Sequence, residues 1–119
     1  MPKVLLAEDD TTMVSLLKTL LRMEGFEVAS VFADDDIPTA IRAEVPDVLL
    51  LDVHLSRQDG LEILRGIRSD PQIRGLRVVM TSGLNLRDDC IREGATDFLM
   101  KPFMPDELVG MLRRVIGVR

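Results

Sequence analysis

The chain alternates short apolar runs with amphipathic stretches, and the alternation repeats five times. Runs of this length rich in Val and Leu are typical of β-strands, and the stretches between them carry apolar residues at helical spacing. The five runs are KVLLAE (3–8), FEVASV (26–31), PDVLLLD (46–52), LRVVMTS (76–82) and TDFLM (96–100). This order predicts five successive strand-then-helix units.

The predicted helices differ in the strength of their signals. A cap at Thr11 or Thr12 begins the first helix and Gly25 ends it, although Asp10 is an equally ordinary cap. Its predicted inward face is Met13, Leu16, Leu17 and Leu20. Inward positions of the third and last helices are Ile63, Leu64, Ile67, Leu108, Met111, Leu112 and Val115. The fourth helical stretch, LRDDCIREGA, is short and weakly patterned.

Five such units predict a parallel sheet, because each connection must cross one face of the sheet. Right-handed crossovers leave few topologies, and the leading one is a doubly wound, flavodoxin-like sheet with strand order 2-1-3-4-5. Nearly continuous apolar runs fit strands covered by helices on both faces. We therefore predict an α/β fold, with a single domain over residues 1–119.

Charge and cysteine content restrict the location and partners of this domain. The formal net charge of −5 argues against direct binding of nucleic acid. No apolar run approaches the roughly 20 residues of a membrane span. The single cysteine, Cys90, cannot form an internal disulfide and fits a reducing compartment. We expect a cytoplasmic protein without membrane contacts.

Polar residues follow four of the predicted strands where they end. Because parallel strands end at one edge of the sheet, these side chains should converge there. They are Glu8, Asp9, Asp52, Thr81, Ser82 and Lys101. Carboxylates this close repel each other unless a cation lies among them, and oxygen ligands without a His/Cys cluster favour Mg²⁺ or Mn²⁺. The sequence thus predicts a divalent cation site beside a lysine.

A carboxylate beside such a cation and a lysine can attack phosphorus and become an acyl phosphate. Asp52 is the best candidate nucleophile, because its strand is the most apolar and is placed centrally. Any one acid after a strand is more often a helix cap or a turn residue. The functional interpretation therefore depends on all of the polar residues at the strand ends taken together.

The motifs LLAEDD, LLLDVHLSRQDGLEIL, VVMTSG and FLMKPF resemble the receiver domain of two-component response regulators, the CheY-like superfamily, in order and in approximate spacing. The resemblance extends from Lys3 to about Gly117. It implies that Asp52 is the phosphoacceptor for a histidine kinase or phosphotransfer protein. Glu8 and Asp9 would hold Mg²⁺, with the backbone carbonyl of His54 as a further ligand.

The resemblance also implies that Lys101 contacts the phosphoryl group, that the bond to Pro102 is cis, and that Gly60 closes the loop after Asp52. A switch hydroxyl is expected at the end of strand four. Alignment on VVM selects Ser82, whereas direct reading selects Thr81, and both stay open. Phe98 would be the aromatic that turns inward on activation, although a plain core role fits equally well.

Two departures from the family pattern concern loops. Ser56 stands where the family most often has proline, which predicts a looser loop after Asp52. The segment from strand four to Lys101 is shorter than usual, which predicts a short fourth helix and an altered partner surface. Among the methionines near this surface, Met104 is the one expected to be exposed.

The family function would be signalling, with slow self-dephosphorylation and no other enzymatic activity. A downstream effector protein or domain would bind the face from strand four to helix five, and the domain would be a monomer or a phosphorylation-dependent dimer. An aspartate-nucleophile phosphatase would need an acid where His54 stands, and a flavodoxin would not place AEDD against a phosphate. The remaining alternative is a receiver-like interaction module that is not phosphorylated.

Overall fold

The computed structural model describes residues 1–32 and 34–117, which form five strands and five helices in strict alternation. In chain order they are β1 Lys3–Ala7, α1 Thr11–Met23, β2 Glu27–Val31, α2 Ile37–Glu44, β3 Val48–Asp52, α3 Gly60–Ser69, β4 Arg77–Ser82, α4 Arg87–Arg92, β5 Asp97–Met100 and α5 Pro105–Ile116. The predicted α/β class is confirmed. The predicted domain, 1–119, includes residues 118 and 119, which lie outside the described residues.

All strand pairs are parallel, and the sheet order is β2-β1-β3-β4-β5, as predicted. Every residue of β3 is buried, because β1 and β4 flank this strand and helices cover both of its faces. No helix in the described part of the chain is long and apolar enough to cross a membrane.

Alternate strand residues belong to two separate core clusters, because successive side chains of a strand point to opposite faces. Leu49, Leu51 and Met80 pack with residues of α2, α3 and α4, and we call this side the α2–α4 face. Leu50 and Val79 pack with residues of α1 and α5 on the other side, the α1/α5 face.

Helix α1 begins after Asp10, whose carboxylate accepts a hydrogen bond from the N–H of Met13 at 3.1 Å. The predicted caps at Thr11 or Thr12 are therefore wrong, since both residues are already helical. A cap residue must keep an extended backbone, and Asp10 does so with φ −73° and ψ 105°.

The predicted inward position of Leu16 is also wrong, because 64% of this residue is exposed. The buried residues of α1 are Leu17 and Leu21, which lie one turn apart, and Met13 and Leu20 flank them partly buried. Leu16 is rotated about 100° from Leu17, so it points away once the Leu17–Leu21 line faces the sheet.

The other helix predictions agree with the structure. Pro38 lies in the first turn of α2, and α3 ends before Pro71. The predicted inward residues of α3 and α5 are buried except Ile63 and Val115, which are partly buried against the core. Helix α4 has only six residues, and Cys90 is its buried residue.

Candidate functional site

Asp52 ends β3 at the carboxyl edge of the sheet, and only 9% of its side chain is exposed. A buried carboxylate is costly unless it is paired and hydrogen-bonded. Both of its oxygens have donors: the N–H of His54 lies 2.9 Å from Oδ1, and Lys101 Nζ lies 2.8 Å from Oδ2. The apolar strand thus ends in an acid held by a main-chain donor and an ammonium group.

Lys101 follows β5 and joins the ends of three strands. Its Nζ donates to Glu8 Oε2 at 2.6 Å and to Asp52 Oδ2 at 2.8 Å. Burial alone would lower the pKa of Lys101, but the hydrogen bonds and charges of Asp52 and Glu8 outweigh it, so the pKa is raised above its ordinary value. The main-chain N–H of Lys101 donates to the carbonyl of Ser82, and the bond to Pro102 is cis as expected.

Asp9 holds the loop that follows β3. Its Oδ2 accepts a hydrogen bond from the N–H of Ser56. A proline at that position would have no N–H to donate. Ser56 therefore ties the loop to the acidic pair through its main chain, and the looser loop stays a prediction.

A divalent cation fits the chemistry of the acids, although they are not arranged around one. Within residues 1–32 and 34–117, no three His, Cys, Asp or Glu side chains are grouped as a metal site. Lys101 Nζ lies between Glu8 and Asp52, and the other Glu8 oxygen accepts from the N–H of Asp10 at 3.2 Å. Carboxylate oxygens suit Mg²⁺ or Mn²⁺, and Glu8 and Asp9 would hold such an ion directly or through water.

Gly60 begins α3 directly against the end of β3. A Cβ there would lie 2.4 Å from the carbonyl oxygen of Asp52 and 2.7 Å from the Cα of Val53. The N–H of Gly60 donates to the carbonyl of Val53 at 2.9 Å. The predicted loop-closing glycine is thus required by close packing of two main-chain segments.

Thr81 and Ser82 are both buried, but they point to opposite faces of the sheet. Thr81 pairs with Asp52 and Leu99, on the α1/α5 side. Ser82 lies two residues after Met80 in β4, so both side chains point to the α2–α4 face, where Phe98 also packs. Its Oγ accepts from the N–H of Leu84 at 3.0 Å. Of the two hydroxyls, Ser82 is the one on the same side as the candidate switch aromatic.

Phe98 is already inward in this structure, with 2% of the residue exposed. Sequence reasoning missed the residue that covers it, Arg87, whose Cζ lies 5.8 Å from the centroid of the ring. One signal was present: a cation in the first turn of a helix is unfavourable with respect to the helix dipole, so Arg87 needs a specific partner. That partner is Asp97, at 3.0 Å.

Two sulfur predictions agree with the structure. Met104 is 62% exposed, and Met111 is buried. Cys90 is buried in the core, and burial, with a contribution from the charge of Asp89, raises the pKa of its thiol. A thiol with a raised pKa is a poor nucleophile, so Cys90 is a core residue.

A doubly wound sheet with acids and a lysine at the carboxyl edge of its strands defines the class of receiver domains. The family model described as the response regulator receiver domain matches residues 4–113, and the chain belongs to this family. It is therefore a receiver-type signalling module, and its likeness to the CheY-like proteins is confirmed.

Curated relatives and solved structures give the same classification. The chain is 34% identical over 114 residues to the DNA-binding response regulator MtrA of Mycobacterium tuberculosis, which covers 93% of this chain and 49% of the relative. It is 37% identical over 123 residues to the transcriptional regulatory protein CpxR of Klebsiella pneumoniae, covering 98% and 50%. The chain thus spans about half the length of these curated relatives.

Among solved structures, a putative response regulator from Chloroflexus aurantiacus superposes with a TM-score of 0.89 at 30% identity, covering 98% of this chain and 99% of that one. The chemotaxis response regulator CheY4 of Vibrio cholerae superposes with a TM-score of 0.86 at 27% identity, covering 97% and 98%. Both similarities extend over almost the whole of each chain.

Proposed function

We propose that residues 1–119 form one receiver domain, which acts as the phosphoacceptor module of a two-component phosphorelay. Asp52 takes the phosphoryl group from a histidine kinase or phosphotransfer protein. The observation that carries this proposal is the position of Lys101 Nζ, within 2.8 Å of Asp52 and 2.6 Å of Glu8. A buried acid, a second acid and an ammonium group meet at one point of the sheet edge.

In the transfer step, a carboxylate oxygen of Asp52 attacks phosphorus. The new O–P bond forms as the N–P bond to the donor histidine breaks, and that nitrogen keeps the electron pair. Lys101 neutralises negative charge on the transferring group, and the His54 N–H holds the acceptor carboxylate in place. The hydroxyl of Ser82, or that of Thr81, donates to a phosphoryl oxygen.

A bound Mg²⁺ or Mn²⁺ would supply further neutralisation of the phosphoryl oxygens. Its ligands would be the carboxylates of Glu8, Asp9 and Asp52 and the backbone carbonyl of His54. Slow self-dephosphorylation would follow from attack of water on the same phosphorus. The chain would have no other enzymatic activity.

Phosphorylation would shift the domain between two packings of the face from β4 to α5. Couplings of this kind are typically about 1–3 kcal/mol. A downstream effector protein or domain would bind one packing better than the other, in the cytoplasm. The formal net charge of −5 disfavours direct contact with nucleic acid. The domain would act as a monomer or as a phosphorylation-dependent dimer.

The proposal is tested by incubating the folded protein with Mg²⁺ and a small phosphodonor and measuring its intact mass. We expect one phosphate adduct on the wild type, none on Asp52→Asn, and strong loss of the adduct when Mg²⁺ is chelated. Asp89→Asn is the matched control, because Asp89 pairs with Arg92 on α4, away from the acids. An adduct that survives Asp52→Asn would contradict the assignment of Asp52.

A second candidate is an interaction module that is not phosphorylated. It is favoured by one observation: the carboxylates of Glu8, Asp9 and Asp52 already have hydrogen-bond donors within the protein. Repeated absence of an adduct on folded wild type, with fresh donor and Mg²⁺, would select this candidate. A partner-binding assay with the unmodified protein would then be the informative measurement.

A further inference from the structure

Arg87 makes three contacts with β5, the edge strand of the sheet. Its guanidinium donates to Asp97 Oδ1 at 3.0 Å and to the carbonyl of Phe98 at 2.8 Å, and its Cζ lies 5.8 Å from the centroid of the Phe98 ring. Asp97 Oδ1 also accepts from the N–H of Phe98 at 2.8 Å. We call this group, formed by Arg87, Asp97 and Phe98, the Arg87 clamp.

Helix α4 is short, and the clamp holds its first turn. It has six residues, its N-cap residue Leu86 makes no side-chain capping bond, and Cys90 is its buried residue. So short a helix is unstable by itself, and an arginine in its first turn opposes the helix dipole. Cys90 is buried in the core, and Glu93 at the C-cap pairs with Arg65. The contacts of Arg87 fix the first turn of α4 against β5.

The clamp lies a few residues along the chain from the candidate switch hydroxyl. Ser82 Oγ accepts from the N–H of Leu84 at 3.0 Å, and the carbonyl of Leu84 accepts from the N–H of Leu86 at 2.9 Å. Arg87 is the next residue. A movement of Ser82 Oγ towards Asp52 would draw it away from Leu84 and loosen the segment that carries Arg87.

We propose that Arg87 is a positioning residue that holds Phe98 and the α4–β5 edge in the resting packing, and that phosphoryl capture by Ser82 releases it. This inference rests on the proposed phosphoacceptor function of Asp52. The ring of Phe98 is buried already, so the event at this edge is release of the clamp rather than burial of the aromatic. A weakened clamp then favours the packing that phosphorylation stabilises.

The test compares Arg87→Gln with Arg92→Gln. Both remove one positive charge from α4, but among the residues that the structure describes Arg92 forms an ion pair only with Asp89. With a small phosphodonor and Mg²⁺, we expect Arg87→Gln to form the adduct about fivefold faster than the wild type, the lower end of ordinary coupling between two sites. Arg92→Gln should match the wild type. Equal, measurable rates in wild type and Arg87→Gln would overturn the inference.

Amide hydrogen exchange gives a second readout. In the unphosphorylated protein, Arg87→Gln should speed exchange at Phe98 towards the rate of phosphorylated wild type, and Arg92→Gln should leave it unchanged. If Arg87→Gln does not fold, Asp97→Asn serves instead, since it removes the ion pair and keeps the bond from Arg87 to the Phe98 carbonyl. Its expected gain in adduct rate is smaller but in the same direction, and no gain would overturn the inference.

A Ser82→Ala background separates coupling from a merely structural role. The gain from Arg87→Gln should disappear there, because a loosened α4–β5 edge favours the adduct only through capture of a phosphoryl oxygen by the Ser82 hydroxyl. An undiminished gain in Ser82→Ala would overturn the proposed route through Ser82. Absence of any adduct on the wild type is a different result: it removes the proposed function of Asp52, and the Arg87 inference with it.

Discussion

At the scale of single residues, the site is organised by the ammonium group of Lys101, which donates to both Glu8 and Asp52. These two ion pairs join the ends of β1, β3 and β5. The sequence predicted that these residues converge. It did not predict that Glu8 turns to Lys101, because the conformation of a long side chain depends on which cations are present.

We therefore expect Lys101→Met to lower the free energy of unfolding without metal by about 1–3 kcal/mol, the cost of leaving buried acceptors without a donor. Mg²⁺ should recover more stability in this variant than in wild type, because the space between Glu8 and Asp52 is vacated. Urea denaturation with and without Mg²⁺ measures both effects. Equal stability of the two metal-free proteins would contradict the prediction.

The ion pairs of Lys101 with Glu8 and Asp52 also make the free energy of unfolding depend on pH in a definite direction. The folded protein raises the pKa of Lys101, so the protonated lysine stabilises it fully below the ordinary lysine pKa, and this contribution is lost as the pH rises through the raised value. The difference in stability between wild type and Lys101→Met should therefore shrink in strongly alkaline solution. Denaturation measured from neutral to alkaline pH tests this, and a difference that grows with pH would contradict it.

Gly60 provides a packing prediction with an internal control. Gly60→Ala would push a methyl group into the main chain of Asp52 and Val53, and we expect a loss of about 1–3 kcal/mol in unfolding free energy. Gly66→Ala, in the same helix with open space around its Cβ position, should instead stabilise by about 0.5–1 kcal/mol. Thermal or urea unfolding distinguishes them, and similar effects would show that Gly60 is not constrained by the strand.

At the scale of elements, the order and type of helices and strands were predictable because each has its own apolar period. Side-chain burial and pairing that depend on neighbouring elements could not be predicted in the same way. The inward face of α1 was misjudged at Leu16, since the apolar residues cover about half of the helix surface, and Leu16 lies at the margin of that half while Leu17 and Leu21 lie nearer its other side. Arg87 was missed because its partners, Asp97 and Phe98, lie on a strand about ten residues later.

The cap of α1 is testable at this scale. Asp10→Ala should cost about 1 kcal/mol, because the Met13 N–H loses its acceptor. Asp36→Ala is the control, since Asp36 precedes α2 but makes no side-chain capping bond to the main chain. Chemical denaturation should show the larger loss for Asp10→Ala, and a larger loss for Asp36→Ala would refute this view of the α1 cap.

At the scale of the whole molecule, a divalent cation would join the ends of β1 and β3. Ligands that bind only the folded state stabilise all of it by mass action. We expect the Tm of wild type to rise with Mg²⁺ concentration and that of Asp9→Asn to rise much less. The Asn side chain still accepts from the N–H of Ser56 but lacks the charge. Asp34→Asn, at an exposed acid paired with Arg57, should behave as wild type.

Lys101 also bears on the order in which a growing chain becomes competent to signal. It is 93 residues from Glu8 and 49 residues from Asp52, and it follows the last strand of the sheet. During synthesis, Glu8 and Asp52 would leave the ribosome before Lys101 is made. The proposed phosphoryl transfer to Asp52 would therefore await docking of the final strand.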